Sequence, residues 1–430
     1  MNTSDAKRVL ETALICSAQP MTLRDMRTLF NDELGADTLR SLLQDLQDDW
    51  AQRGVELVSV ATGTTVSLSG NEILLVTDAG TVLASDLVTL DARTTGLVNA
   101  VAAGTLSGTA ATLAGVVTAT TLTLSGQETV TVTDAGTVAA STLLAIDATT
   151  TGLVSAVAAG TLTGSASALV SVVTGTTVTL SGNEALLVSD TGTVAAADLV
   201  TLDTKSSGLV NASSASALSG TAVQFQSLLT STGVSLSGQE TLLLTDTSLT
   251  AAGLLALDSA PTGLVNAKSL TALSGAATDV MATLTAAGIT LSGSEAVFLT
   301  DTTLSGLQIT DIGAKTSGVV TLTGLTTLND TWGHLNSLSA NINGSPGHYV
   351  FGTGAFTVTQ TDQGSGGLSV SAVNTLRGLT TGTITATVSG SASALTALAA
   401  RNDNLTISVN SATVAATDLK TIDLATTGQV

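Results

Sequence analysis

The stretch Ser69-Gly70-Asn71-Glu72-Ile73-Leu74-Leu75-Val76-Thr77-Asp78 decides the fold, because the chain repeats it with a 56-residue period. Its Ser-Gly pair returns at Ser125-Gly126, Ser181-Gly182 and Ser237-Gly238, and one position early at Ser292-Gly293. Repeats on this scale build stacked arrays in which each unit contacts only its neighbours. The sequence therefore predicts a mainly β fold with short helices, an elongated β- or α/β-solenoid of 56-residue repeats.

Each repeat predicts two coils of strand, turn, strand and short helix. In the first copy, the pattern predicts one helix from Ala84 to Asp91 and a second that begins at Thr109. Leu87 and Leu113 are expected to face inward. A glycine follows the first helix in every copy and is interpreted as a helix stop; these glycines are Gly96, Gly152, Gly208, Gly263 and Gly318.

Two carboxylates accompany every Ser-Gly pair, first a glutamate and then an aspartate at the end of the following strand. Repeated carboxylate oxygens near backbone turns can bind calcium, although the glycine-aspartate nonapeptide of calcium β-rolls is absent. The alternative is that aspartates such as Asp78 and Asp86 cap helices or turns while Glu72 is solvated. The calcium candidates are Glu72, Asp78, Glu128, Asp134, Glu184, Asp190, Glu240, Asp246, Glu295 and Asp301.

The composition limits the partners of the array. Hydrophobic residues make up 43% of the chain but aromatic residues only 2%, which suits thin layers of Ala, Val and Leu. The net charge is −20, and residues 58–430 carry −16 of it. An acidic array repels phosphate, so we expect no nucleic-acid binding by the repeats.

The sequence also bears on location. No uncharged apolar stretch is long enough to predict a membrane span. Glu11 interrupts the apolar run Val9–Ala18, so we predict no N-terminal signal peptide. Cys16 is the single cysteine, which excludes an intrachain disulfide.

The N-terminal segment differs in pattern from the repeats. Apolar spacing predicts helices that begin near Ser4, at Leu23 and near Asp37, followed by a strand over Val55–Val60. Three helices and a strand are the beginning of a winged-helix domain, here a small truncated one. Such a third helix often reads DNA, but this one carries three aspartates against one arginine and favours a solvated or protein-binding face; these residues are Arg40, Asp45, Asp48 and Asp49.

Two runs, Val9–Thr22 and Leu39–Val58, resemble the opening of segregation and condensation protein B. The resemblance implies a non-enzymatic, cytoplasmic partner of the bacterial chromosome-condensing complex, whose tandem winged helices dimerise and clasp a kleisin-type subunit. It extends over positions 1–62. Where that family has a wing, this chain continues with repeat sequence over Thr62–Gly70.

These observations predict four parts: residues 1–62, helical and truncated winged-helix-like; 63–320, the solenoid; 321–367, an irregular β-rich insertion; and 368–430, further coils truncated at the C-terminus. Ser59-Val60-Ala61-Thr62-Gly63 nearly repeats Ser171-Val172-Val173-Thr174-Gly175 in the third copy. We interpret this match as the join of a recombination or assembly chimera; coincidence is the alternative.

Other candidate sites are weaker. His334 and His348, with Asp330 and Asp362 nearby, could bind zinc, but a structural or surface role is favoured because no short metal-ligand spacing links them. Threonine-rich strands such as Thr129–Thr133 could form hydroxyl ladders of the kind that bind ice or crystalline polysaccharide. Threonine is also simply a good strand former.

The sequence shows no catalytic motif and favours a non-enzymatic structural or adhesive protein. In composition and repeat style it resembles the arrays of large bacterial cell-surface, S-layer-like or adhesin proteins. That resemblance implies an extended acidic scaffold, extracellular or on the cell surface, which associates with itself or with cell-surface components and which calcium could stabilise. The alternative is a cytoplasmic chromosome segregation and condensation subunit that acts through its N-terminal domain on a kleisin-type subunit of a condensin complex.

Overall fold

The computed structural model of the chain describes residues 3–17, 21–50, 70–260, 262–342, 348–352, 355–362 and 366–430. The chain divides into two compact units. Unit 1 comprises residues 1–75 and 89–99, and unit 2 comprises residues 76–88 and 100–430.

Short helices recur along the whole described chain. They are α1 (Thr3–Cys16), α2 (Leu23–Leu29), α3 (Ala36–Trp50), α4 (Ala84–Asp91), α5 (Ala110–Thr118), α6 (Ala140–Asp147), α7 (Ala166–Thr174), α8 (Ala196–Lys205), α9 (Ala222–Thr230), α10 (Ala251–Asp258), α11 (Ala277–Thr285), α12 (Gly306–Gly313), α13 (Trp332–Ile342), α14 (Val370–Leu379), α15 (Ala392–Leu395) and α16 (Ala416–Asp423). Across the described ranges, no helix is long and apolar enough to cross a membrane.

In unit 1, α1, α2 and α3 share one apolar cluster. Its buried members are Ala6, Leu10, Met26, Phe30, Leu39, Leu42 and Leu46. Thr22 and Asp25 form a capping box at the start of α2, and Trp50 Nε1 donates to Glu11 Oε1 at 3.0 Å. The predicted strand Val55–Val60 and the proposed join at Ser59–Gly63 lie outside the described residues, so the winged-helix interpretation stays a prediction.

Three strands of two residues each lie outside the five-stranded sheets described next. They are β1 (Leu74–Leu75) and β3 (Val98–Asn99), which pair in parallel, and β5 (Leu122–Thr123) of unit 2.

The described residues of unit 2 form five parallel sheets of five strands each. Sheet 1 comprises β2 (Thr81–Leu83), β4 (Thr105–Gly108), β6 (Thr129–Val132), β8 (Val154–Ser155) and β10 (Val178–Thr179). Sheet 2 comprises β7 (Thr137–Ala139), β9 (Thr161–Gly164), β11 (Ala185–Val188), β13 (Val210–Asn211) and β15 (Val234–Ser235). Sheet 3 comprises β12 (Thr193–Ala195), β14 (Ala217–Gly220), β16 (Thr241–Leu244), β18 (Val265–Asn266) and β20 (Ile289–Thr290).

The last two sheets follow the same plan. Sheet 4 comprises β17 (Ser248–Thr250), β19 (Ala272–Gly275), β21 (Ala296–Leu299), β23 (Val320–Leu322) and β25 (Tyr349–Phe351). Sheet 5 comprises β22 (Thr303–Leu304), β24 (Thr327–Asp330), β26 (Thr357–Gln360), β27 (Ile384–Gly390) and β28 (Asn404–Val409). Parallel sheets joined by short helices make unit 2 a solenoid-like stack, as the repeat predicts.

The register of the strands defines a 24-residue coil. In sheet 1, Val82 pairs with Leu106, Leu106 with Val130, and Val130 with Val154. A 56-residue repeat therefore spans two and one third coils, and the prediction of two coils per repeat is wrong. Three repeats and seven coils have the same length, so a repeat returns to the same side of the stack only at every third copy.

This mismatch explains why sheet 1 stops after five strands. The residue one coil beyond Val178 in β10 is Leu202, which lies in α8 and is fully buried. A helix thus replaces the strand on that side, and the next sheet continues on another side.

The interior consists of stacked aliphatic layers. Alternate strand residues point inward, and the inward positions of sheet 1 are all buried: Val82, Leu106, Val130, Val154 and Val178. Burying a Val or Leu side chain contributes about 1.5–3 kcal/mol. Because many small layers share this work, the chain needs few aromatic residues.

Residues 321–367, where the repeat pattern fades, carry strands that pair in register with regular coils. Val320 pairs with Tyr349 in sheet 4, and Thr327 pairs with Thr357 in sheet 5. These spacings are longer than one regular coil, and the 11-residue helix α13 lies within them. The parallel ladder therefore continues through this segment.

Candidate functional site

The periodic glutamates close the turns that precede the strands. Glu184 is 1% exposed, and its Oε1 accepts the Ser181 backbone N–H at 2.5 Å and the Ser181 hydroxyl at 2.6 Å. Its Oε2 accepts the Gly182 N–H at 3.0 Å. The turn glycines have positive φ, which favours glycine; they are Gly70, Gly126, Gly182, Gly238 and Gly293.

The same turn recurs in the other copies. The Ser N–H to Glu Oε1 distance is 2.5 Å at Glu128, Glu240 and Glu295, all of which are buried. Glu72 is half-buried and accepts the Gly70 N–H at 2.9 Å. The glutamate expected to be solvated, Glu72, is half-buried, whereas the other four copies are buried.

In four of the five copies a hydroxyl and a glycine join the turn to the next pass of the chain. Thr150 Oγ1 donates to the Glu128 carbonyl at 2.6 Å and accepts the Gly152 N–H at 3.0 Å. A Cβ on Gly152 would lie 2.2 Å from that carbonyl oxygen. The interpretation of these glycines as helix stops is wrong: close backbone approach demands them. The same contact forms at Thr94–Gly96, Ser206–Gly208 and Thr316–Gly318.

The periodic aspartates cap helices of the preceding coil. Asp134 Oδ2 accepts the backbone N–H of Ala110, the first residue of α5, at 2.6 Å. The first N–H groups of a helix lack partners within the helix, and a carboxylate there also interacts favourably with the helix dipole. The same bond, at 2.7 Å, joins Asp190 to Ala166, Asp246 to Ala222 and Asp301 to Ala277.

In four copies the periodic aspartate thus contacts the start of a helix, the kind of role that the alternative assigns to Asp78 and Asp86. Asp78 is exposed, and the residue one coil before it, Gly54, lies outside the described residues. Within the described ranges, no group of three or more His, Cys, Asp or Glu side chains could hold a metal ion. Calcium binding stays a prediction, and the hydrogen bonds give the same carboxylates a use that needs no ion.

Asp330 continues the capping series and also contacts a histidine. Its Oδ2 accepts the Leu307 N–H at 2.8 Å, in the first turn of α12, and its Oδ1 lies 2.8 Å from His334 Nδ1. Burial alone raises the pKa of Asp330. The hydrogen bonds from His334 and from backbone N–H groups outweigh burial and hold the pKa below its usual range.

The two histidines serve different parts of the fold. His348 Nε2 lies 3.0 Å from the Gly313 carbonyl oxygen, and the ring packs edge-on against Tyr349. Burial raises the pKa of Tyr349. Asp362 accepts the Trp332 N–H at 2.9 Å, at the start of α13. His334, His348 and Asp362 therefore each have a hydrogen-bond partner within the protein, which is compatible with a structural role.

A buried charge cluster lies in residues 368–430, called the last coils from here on, and sequence patterns did not reveal it. Asp403 is fully buried and accepts Arg377 Nε at 2.9 Å and the Ile384 N–H at 3.0 Å. Arg401 Nε lies 3.6 Å from the same carboxylate. The available signal was the return of arginine, at 377 and 401, in an array that is otherwise poor in positive charge.

Acidic residues of α3 form ion pairs within the N-terminal helices. Lys7 of α1 forms an ion pair with Asp49 at 2.7 Å and donates to the Asp45 carbonyl at 3.0 Å. Arg40 pairs with Asp37 at 2.8 Å. Cys16 lies exposed at the end of α1.

Comparison with known proteins gives one partial similarity. The chain matches no protein-family model, and no solved structure matches it. It is similar to a segregation and condensation protein B homolog from Coxiella burnetii, with 35% identity over 65 residues. The match covers 15% of this chain and 31% of that protein, so the chain spans less than a third of the length of the curated relative. This finding supports the resemblance noted for the N-terminal segment.

Proposed function

We propose that this chain is a non-enzymatic structural repeat protein, an extended acidic scaffold of the bacterial cell-surface type. One observation carries the proposal: the recurring carboxylates, the groups best suited to chemistry, bind backbone N–H groups in turns and at helix starts. Catalysis requires polar groups that converge in one pocket. Here the same groups recur along the stack, which suits mechanical support.

The acidic surface and the rotation of the repeat suit a scaffold with many equivalent contacts. Successive repeats turn by one third of a coil, so each side presents the same features at every third copy. We infer that self-association or contact with cell-surface components uses several sides, and that the location is extracellular.

Immunogold labelling of intact source cells, with an antibody raised against the repeat array, tests the proposal. Label on intact cells is the expected result. Label that appears only after the cells are permeabilised contradicts it. The tryptic peptide from Gly54 to Arg93 should be sought in the same cells, because it spans the join between helical segment and array.

A second candidate function is a subunit of the chromosome segregation and condensation machinery. The 65-residue similarity and the apolar cluster of α1, α2 and α3 favour it. The full chain should then bind a kleisin-type subunit, and Ile15→Asp on the exposed part of α1 should weaken binding. Val223→Asp, on exposed α9, is the control. Absence of binding by the unmodified chain excludes this function.

A further inference from the structure

The outward face of sheet 1 carries hydroxyl groups in register. The parallel pairing aligns Thr81, Thr105 and Thr129 in one row. A second row begins with Leu83, whose side chain is 49% exposed, and continues with Ser107, Thr131, Ser155 and Thr179. We call the seven hydroxyl-bearing residues of the two rows the hydroxyl face.

The backbone holds the two rows at constant spacing. In β6 the buried residues Val130 and Val132 alternate with exposed Thr129 and Thr131, so the threonines point away from the core. Neighbouring strands lie about 4.8 Å apart, and alternate residues of one strand about 6.7 Å apart. The Thr105 and Thr129 hydroxyl oxygens lie 2.7 Å apart, so these two neighbouring hydroxyls are hydrogen-bonded.

The hydroxyl face is not a general property of the repeat. One period beyond Thr129 and Thr131, sheet 2 carries Ala185 and Leu187, and the Leu187 side chain is 39% exposed. Ala185 and Leu187 also form a strand, so strand formation does not require threonine at positions 129 and 131. Sheet 2 therefore lacks hydroxyls at these two positions, whereas sheet 5 carries a comparable threonine row of Thr303, Thr327 and Thr357.

The outward face of sheet 1 is also neutral, as are the outward positions of sheet 2. The chain has 33 acidic residues, yet the outward residues of β2, β4, β6, β8 and β10 include no charged and no aromatic side chain. A charged face keeps its own strong hydration, and a sugar-binding face uses aromatic rings to stack on sugars. A neutral face of hydroxyls, each a donor and an acceptor, matches a lattice of molecules that both donate and accept hydrogen bonds.

We propose that the hydroxyl face binds the surface of ice. The threonine methyl groups lie against the lattice while the hydroxyls replace lattice water at fixed spacing along both rows. This activity is independent of the cell-surface proposal, because it needs only the geometry of sheet 1.

The test is adsorption of the purified full chain to a growing ice hemisphere, together with thermal hysteresis. We expect the unmodified chain to be incorporated into the ice and Thr131→Lys to lose most of both signals. Leu187→Lys places a lysine at the equivalent position one repeat away on sheet 2, and it should leave both ice adsorption and thermal hysteresis unchanged. Thermal melting of both variants verifies that the stack is intact.

Thr131→Ser keeps the hydroxyl and should retain most of the activity. Failure of the unmodified chain to adsorb overturns the proposal, as does an equal loss in the two lysine variants. Binding to microcrystalline cellulose or chitin without adsorption to ice also overturns it, because the partner would then be a polysaccharide.

Discussion

The regular coils of unit 2, which are the 24-residue coils paired in sheets 1 and 2, share one backbone contact with the last coils. In both regions a hydroxyl and a glycine contact a carbonyl of the preceding coil, but the surrounding side chains differ. In the regular coils, the Thr-Gly contact meets the carbonyl of a buried glutamate such as Glu128. In the last coils, Thr380 and Thr426 make the same contact to Phe356 and Leu405. The contact is thus a property of the stacked backbone, and the glutamate is needed only where a Ser-Gly turn precedes the strand.

The two regions also differ in spacing and charge. One 24-residue coil separates paired strands in sheets 1 and 2, whereas Thr385 pairs with Asn404 across a shorter coil. In the shorter coil, Asp403 and two arginines form a buried ionic cluster. The regular coils satisfy their carboxylates with backbone N–H groups, and the last coils use side-chain charge.

The largest expected effect is on this ionic cluster. Asp403→Ala leaves Arg377 and Arg401 without their buried partner, and breaking such a pair costs about 3–5 kcal/mol. Urea unfolding should show this loss in the transition of the last coils. Leu419→Ala, at an exposed position of α16, is the control. An unchanged transition would mean that the cluster contributes nothing.

The second effect concerns the Thr-Gly contact in a regular coil. In Gly152→Ala, the new Cβ would lie 2.2 Å from the Glu128 carbonyl, so the coils must separate. Overpacking of this kind costs about 1–3 kcal/mol. Gly136→Ala is the matched control, because no atom lies within 4 Å of a Cβ there. Equal free energies of unfolding for the two variants would contradict the close approach.

The third effect compares a buried turn with a half-buried one. Glu184→Ala removes the buried acceptor of the Ser181 and Gly182 N–H groups, and each such hydrogen bond contributes about 0.5–1.5 kcal/mol. Glu72→Ala should cost less, because water can reach that turn. Thermal unfolding of both variants measures the difference, and a larger loss at Glu72 would reverse the expected order.

A smaller effect depends on pH through Asp330. Its pKa is below the unfolded value of about 3.9. The hydrogen bonds of the carboxylate therefore stabilise the fold above about pH 4, and this contribution is lost as pH falls through the folded pKa. Asp330→Asn should reduce stability at neutral pH, and the difference from the unmodified chain should shrink in acid. A constant difference from neutral pH down to strongly acidic pH would exclude this linkage.

Calcium gives the smallest expected effect. In the turns and caps, carboxylate oxygens already accept backbone N–H groups, so we expect the same melting temperature in chelator and in millimolar calcium. Magnesium at equal concentration controls for general screening of the acidic surface. A rise in melting temperature with calcium alone would instead support calcium binding by the periodic carboxylates.

Local elements followed from local pattern. The helix predicted over Ala84–Asp91 has those bounds, and Thr109 is the N-cap of the helix predicted to begin there. Leu87 and Leu113 face inward as expected. Each depends on side-chain spacing and capping within one short segment, which sequence displays directly.

The partners of the carboxylates did not follow. Asp134 binds Ala110 and Thr150 binds Glu128, and both pairs join different coils through backbone atoms. A backbone N–H or carbonyl leaves no trace in residue type, so the aspartates were also compatible with calcium. The role of Gly152 could not be predicted for the same reason, because its close neighbour is a backbone atom, the Glu128 carbonyl of the preceding coil.

By itself, the sequence determined that the chain is a repeat array with turns at Ser-Gly pairs, short helices and an acidic, aromatic-poor surface. Only the tertiary structure decided the length of the 24-residue coil, and with it that a 56-residue repeat turns by one third of a coil at each copy. The physical reason is that the repeat is a pattern of side chains, whereas the coil is closed by backbone hydrogen bonds between parallel strands.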